Sequence, residues 1–183
     1  WNQFAYPNSQ INKSSSRCNY PKKYFPVEMK GSEKPLYCKN DWGIMSKAKK
    51  GIKAHRHAGI DIFLKKGAGV YAIVDGTIDK FSGDGGHGGV GFTLKPSDFQ
   101  GYKYYYSHIL NPYGLKVGST VKAGDLIAQI DDEQHVHFSI KLGNKKEPGA
   151  VYYNNQWWRN PYKTLQALDD TGRTETEKCK WTY

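Results

Sequence analysis

Apolar residues gather in short runs through the middle of the chain, and this pattern is lost at both ends. From about Gly59 to about Leu142, short β-branched and aromatic runs alternate with Gly and Asp turns. The runs are Ile60–Phe63, Val70–Val74, Thr77–Phe81, Val90–Leu94, Tyr102–Ser107, Leu126–Ile130 and Val136–Leu142. Short strands with regular turn signals predict an antiparallel β-sheet or sandwich. Asp75-Gly76 and Gly124-Asp125 serve as turn dipeptides. Residues 1–54 read as an irregular arm, because Ser14-Ser15-Ser16, Pro21, Pro26, Gly31, Pro35 and Gly51 break any helical period. Asn160–Leu168 predicts a short helix with Pro161 in its first turn. The Thr/Glu/Lys-rich tail predicts an edge element or a loose segment. The expected fold is mainly β, with an irregular N-terminal arm and a short C-terminal helix.

Length refines this to one domain with appended arms, since the chain has 183 residues. Aromatic residues make up 14%, which argues against disorder. No apolar run approaches the roughly 18 residues needed to cross a bilayer, so no membrane span is expected. The formal net charge of +10 suggests an anionic partner. Its distribution changes that picture. Residues 1–54 carry 11 basic and 3 acidic side chains, residues 55–140 carry 8 and 9, and residues 141–183 carry 8 and 5. The middle is near neutral and the flanks are basic. A nucleic-acid function would rest on charge alone, and that charge lies outside the recognisable domain. All six histidines do the opposite: His55, His57, His87, His108, His135 and His137 fall in the neutral middle.

Cysteine usage bears on compartment. Cys18, Cys38 and Cys179 form no CxxC pair, which excludes a zinc ribbon or thioredoxin-type motif. Two readings stand side by side: a Cys18–Cys38 bridge across the arm that leaves Cys179 unpaired, and three reduced thiols. The chain starts at Trp1 rather than Met, which reads as a processed, exported protein. The glycine-rich stretch Gly83–Gly91 lacks the GK[ST] ending of a phosphate-binding loop, so phosphate cradling is not expected there.

Two short motifs carry chemistry. His57-Ala58-Gly59-Ile60-Asp61 gives an HxxxD spacing, and His135-Val136-His137 gives HxH on a predicted strand. A strand alternates faces, so both HxH imidazoles project to one side while Val136 and Phe138 enter the core. His108 ends the Tyr104-Tyr105-Tyr106-Ser107 run, where a strand should meet a loop. Three protein ligands and one open position make a catalytic zinc site. Imidazole and carboxylate suit that ion. The sequence offers His, Asp and His as ligands, with two histidines left over. Zinc can lower the pKa of its water to about 7, and a leftover histidine can act as general base or stabilise an oxyanion.

The run from His57 to about Leu142 resembles the LytM/lysostaphin-type zinc endopeptidases that cut peptidoglycan peptides. Their H-x-G-x-D is matched by His57-Ala58-Gly59-Ile60-Asp61, and V-x-A-x-x-D-G-x-V/I by Val70 to Ile78. A Gly-rich turn and strand correspond to Gly88-Gly89-Val90-Gly91-Phe92, and Y-x-H-L to Tyr106-Ser107-His108-Ile109. G-x-x-V-x-x-G-x-x-I-A is matched by Gly118 to Ala128, and H-x-H-F by His135-Val136-His137-Phe138. The resemblance implies a β-sheet metallopeptidase core over residues 55–145, between the basic arm 1–54 and a C-terminal extension 146–183. It implies His57, Asp61 and His137 as zinc ligands, and His135 and His108 as the catalytic pair. Tyr106 and His87 are candidate substrate contacts. One departure concerns substrate choice: Asp131-Asp132-Glu133-Gln134 stands where relatives place a Gly/Ser/Thr-rich loop ending in Gly-Pro.

The expected function is zinc-dependent endopeptidase action on peptidoglycan cross-links or stems, by a monomer outside the cytoplasm. The basic flanks would hold it to anionic wall polymers. The alternative is a non-catalytic wall-binding or regulatory module with a structural zinc, closed by a fourth protein ligand. A lipoyl- or biotinyl-type carrier lacks a suitable hairpin lysine and leaves the histidines unexplained.

Overall fold

The computed structural model describes residues 23–29, 33–46, 54–83, 89–98, 101–111, 113–174 and 179. Cys18, His87 and the Lys47–Lys50 run lie outside them. Twelve strands are assigned among these residues: β1 (Met45–Ser46), β2 (His55–Arg56), β3 (Ile60–Phe63), β4 (Gly69–Tyr71), β5 (Gly76–Gly83), β6 (Val90–Pro96), β7 (Lys103–Leu110), β8 (Thr120–Val121), β9 (Leu126–Ile130), β10 (His135–Gly143), β11 (Val151–Tyr153) and β12 (Gln156–Arg159). One helix, α1 (Tyr162–Leu168), follows. The expected mainly-β architecture is what forms. Every strand pair is antiparallel.

The large sheet runs β11-β12-β10-β7-β6-β5-β8, with β3 on β10 and β9 bridging β4 and β7. β10 lies at its centre. Val136, Phe138, Ile140 and Leu142 of β10 are buried, while His135, His137 and Lys141 are half-exposed on the other face. The period-two pattern thus sets which face becomes core. Facing strands supply the rest of that core, including Ile60, Ile62, Phe92, Leu94, Tyr104 and Tyr106.

The N-terminal segment joins the same core. Phe25, Val27 and Tyr37 are buried in it, and isolated bridges tie Val27 to Val70 and Leu36 to Phe63. α1 docks through buried Tyr162 and Leu165. Its start is held by Asn160, whose Oδ1 accepts from the Tyr162 N–H at 2.9 Å. Tyr37 Oη donates to Asp169 just past the helix end, at 2.7 Å.

One expectation is corrected. Cys38 is bonded to Cys179, not to Cys18, across a sequence separation of 141 residues. Spacing along the chain favoured the nearer partner. Docking of both flanks on one sheet brings the distant Cα to 4.8 Å instead.

Two short connections were legible only in part. Asn154 and Asn155 both have positive φ (50° and 58°), which makes the two-residue turn of the β11–β12 hairpin. That hairpin was not among the predicted strands. Gly76 is required for a different reason: a Cβ there would collide with the Lys95 carbonyl of β6.

Candidate active site

β3 and β10 bring the metal-site residues together. Their register sets Asp61 directly opposite His137. His57 precedes β3, and its main chain is pinned to the N-terminal segment. Its N–H donates to Ile44 O at 2.7 Å, and its carbonyl accepts from Gly43 N–H at 2.9 Å. Gly59 lies between His57 and Asp61 for a steric reason. A Cβ there would stand 2.5 Å from the His137 ring and 2.6 Å from Ser139 Oγ.

Three donor atoms converge. His57 Nε2 lies 2.9 Å from His137 Nδ1 and 3.2 Å from Asp61 Oδ1, and His137 Nδ1 lies 3.0 Å from Asp61 Oδ1. These three residues form a group able to hold a metal ion. Tetrahedral zinc with ligands at about 2.0–2.1 Å would space them by about 3.3 Å. The triangle has nearly that size, so the donor set fits zinc.

The outer nitrogens are also satisfied, as ligating imidazoles require. His57 Nδ1 donates to Asp41 O at 2.9 Å, with Asp41 Oδ1 at 3.2 Å. A carbonyl only accepts, so His57 Nε2 is left with its lone pair facing the cluster. His137 Nε2 meets Ser139 Oγ at 2.8 Å, which leaves Nδ1 for the same centre.

In the protein alone, burial disfavours a charged His57 ring. Hydrogen bonds to Asp41 and Asp61, and their charges, outweigh it and push the pKa up to about 10. Burial would raise Asp61, but His137 and His57 hold its carboxyl well below the usual range. Burial pushes His137 down, helped by the His57 and His135 charges and opposed by Asp61. Two nitrogens aimed at each other beside a carboxylate need a proton or a cation between them.

The two remaining histidines lie beside this triad. His135 Nδ1 donates to Glu133 O at 2.8 Å, so its Nε2 lone pair faces inward, 3.8 Å from Asp61 Oδ2. The His108 and His135 ring centroids are 4.5 Å apart. His108 does not end β7 as expected, because the strand continues to Leu110. The register against β6 slips by one residue between Tyr106 and Ile109, which is a β-bulge. His108 has φ 60° there. The bulge breaks the alternation, so Ser107 and His108 both reach one groove.

That groove is open and has a volume of about 740 Å³. The four histidines His57, His108, His135 and His137 line one part of it, with Asp61. Tyr106, expected as a substrate contact, is fully buried. It packs on Phe138, with ring centroids at 5.2 Å, and its hydroxyl accepts from Ile73 N–H at 3.0 Å. Alternation hands its place to Tyr105, whose hydroxyl lies 3.1 Å from Ser82 Oγ in the groove.

Sequence reasoning missed two contributors. Asp41 touches two members of the triad: besides His57, its Oδ2 accepts from the Asp61 N–H at 2.6 Å. The only signal was a lone carboxylate between residues 34 and 60 in a basic arm. Tyr153, Asn154, Gln156 and Trp158 of the β11–β12 hairpin wall the groove.

A half-buried triad of this geometry, open to a groove beside two further histidines, could hold a metal ion next to groups able to move a proton. Residues 55–148 match peptidase family M23, and the chain belongs to that family. Asp41 and the hairpin both lie outside the matched segment. The catalytic domain of the antimicrobial peptidase lysostaphin from Staphylococcus simulans is 27% identical, over 68% of this chain and 88% of that one, at a TM-score of 0.51. Whole lysostaphin shares the fold at 23% identity and a TM-score of 0.56, covering 84% of this chain. A LytM protein from Ruminococcus gnavus shares it at 24% and 0.54, covering 81%. The chain spans 59% and 61% of the lengths of those two chains. No curated protein sequence gives a significant match.

Proposed function

We propose that the chain is a zinc-dependent endopeptidase that cuts peptide cross-links or stems of peptidoglycan. The observation that carries this is the donor triangle of His57, Asp61 and His137, open on the side where His135 and His108 stand. Family membership supports peptidase chemistry, and likeness to the antimicrobial peptidase lysostaphin supports a cell-wall target.

Zinc held by His57, Asp61 and His137 would supply a Lewis acid and acidify water at the site. The protein's own groups do the rest. His135 Nε2 accepts a proton, and the Glu133 carbonyl fixes the tautomer that leaves it free to do so. His108 lies against His135 and steadies negative charge developing on the substrate oxygen. Asp41 and Ser139 keep the ligand rings turned inward.

The Cys38–Cys179 bond supports an oxidising environment outside the cytoplasm. Among the described residues no helix is long and apolar enough to cross a membrane. A structural site would need a fourth protein donor, and among the described residues the cluster comprises three. That favours catalysis over a purely wall-binding role. The chain acts as a monomer, and its basic flanks hold it to anionic wall polymers.

The test is digestion of purified walls with two different cross-link chemistries, followed by mass analysis of the fragments. Peptide cleavage that stops on chelation and returns with Zn²⁺ is expected. Full cleavage by a chelated, metal-free sample, or wall binding without cleavage, overturns the reading.

A further inference from the structure

The groove floor changes character along the strands. At one part stand His135 and His137 of β10, with Glu133 beside them. Next come Ser139, Tyr105, Thr93 and Ser82, contributed by β10, β7, β6 and β5. Their register is continuous, with Ser139 opposite Tyr105 and Tyr105 opposite Thr93. Lys80 and Lys141 then project into the same groove. Lys141 sits directly opposite Lys103, and Lys80 directly opposite Thr93.

Charge is not balanced at that end. Lys103 is held by Asp79 at 2.7 Å. Among the described residues neither Lys80 nor Lys141 has an ion-pair partner. Lys141 is half-buried, its Nζ 6.0 Å from the Trp158 ring centroid. Burial and the charges of Lys103 and Lys80 push its pKa down, opposed by Asp79. Lys141 is half-buried and Lys80 exposed, and their like charges repel across the groove until an anion lies between them. Lys80 on β5 and Lys141 on β10 flank β6 and β7, whose Thr93 and Tyr105 hydroxyls line the groove between them, and this arrangement suits a carboxylate.

We propose that the groove binds a carboxylate of its peptide substrate between Lys80 and Lys141. This rests on the reading of the groove as the peptide-binding site. Lys141 is four residues along β10 from His137, about 13 Å at the usual strand rise. An extended peptide covers that in three to four residues. The favoured substrates are therefore acidic peptides with a free carboxylate about three residues from the bond at the histidines. A neutral chain such as an unsubstituted glycine bridge leaves this end of the groove unmatched.

The experiment measures binding, so it does not depend on turnover. Zinc-loaded protein carrying His135→Ala keeps the peptides intact during titration. End-blocked hexapeptides carry Glu or Gln at successive positions. Binding of the best-placed Glu peptide about tenfold tighter than its Gln counterpart is expected. That preference disappears in K80Q/K141Q and survives in K141R. Equal binding of the Glu and Gln series overturns the proposal. So does a preference that persists in K80Q/K141Q, which would put the carboxylate on the metal or elsewhere. A lysine-dependent affinity for inorganic phosphate without any Glu preference also overturns it, in favour of a wall-polymer phosphate. If the carboxylate preference is present but protein with His135 intact cuts no peptide, the anion site stands and the endopeptidase reading falls.

Discussion

Replacing Asp41 with alanine removes a carboxylate that grips two of the three proposed ligands. Its Oδ1 lies 3.2 Å from His57 Nδ1, and its Oδ2 accepts from the Asp61 N–H at 2.6 Å. Loss of such an outer carboxylate weakens metal binding by about 10–100-fold. The structure places this case mid-range. The backbone carbonyl of residue 41 still accepts from His57 Nδ1 at 2.9 Å, so the tautomer survives. The Asp61 N–H loses its acceptor outright. A loss of about 30-fold is expected, about 2 kcal/mol. Asp41→Asn keeps one oxygen but no charge, and should lose about fivefold, near half that energy. The assay is competition for zinc against a chromophoric chelator, on disulfide-intact protein shown to be folded by circular dichroism. An alanine variant that folds and binds zinc within about twofold of the parent would refute the reasoning, because Asp41 would then be mere packing.

Gly59→Ala should lose zinc affinity more severely, since its Cβ would enter the His137 ring at 2.5 Å; zinc titration of folded protein checks this. His57→Ala and Asp61→Ala should lose metal. His108→Ala and His135→Ala should keep it while turnover falls about 10²–10⁴-fold. Metal analysis beside peptide kinetics decides, and equal zinc loss in all four would overturn the assignment of roles. Reducing the Cys38–Cys179 bond should destabilise the fold by about 5 kcal/mol in the chain-entropy treatment, given a separation of 141 residues; denaturant melts with and without reductant measure it. Wall binding should weaken with salt, while turnover of a small neutral peptide stays nearly constant in the same titration.

What the sequence disclosed was whatever is encoded locally. Alternation in Val136–Leu142 placed His135 and His137 on one face, and β10 adopts that arrangement. The HxxxD spacing drew Asp61 and His57 to the same centre. Tyr106 was a candidate groove contact, but the bulge that turns His108 follows Tyr106 and leaves it on the core side. A one-residue register slip carries no strong local signature. The Asn154-Asn155 turn did carry one, between β-forming Tyr153 and Trp157, and it was overlooked in the C-terminal extension. Asp41 could not be found that way. Its value arises from a contact across 20 residues of sequence to Asp61. The lysine pair was hidden by distance: Lys80 and Lys141 stand 61 positions apart in the chain and come to one groove only through folding.

The cystine between residues 38 and 179 has a topological consequence. It closes the chain from the N-terminal flank to the C-terminal flank into a covalent ring. Asp41, His57, His108, His135, His137 and the β11–β12 hairpin all lie within that ring. A single backbone nick between the two cysteines opens the ring but releases no fragment. Both pieces stay attached, and the sheet pairing between them stays intramolecular. Such damage would be invisible on a non-reducing gel and plain on a reducing one. The residues that build the site cannot be separated from one another by one proteolytic cut.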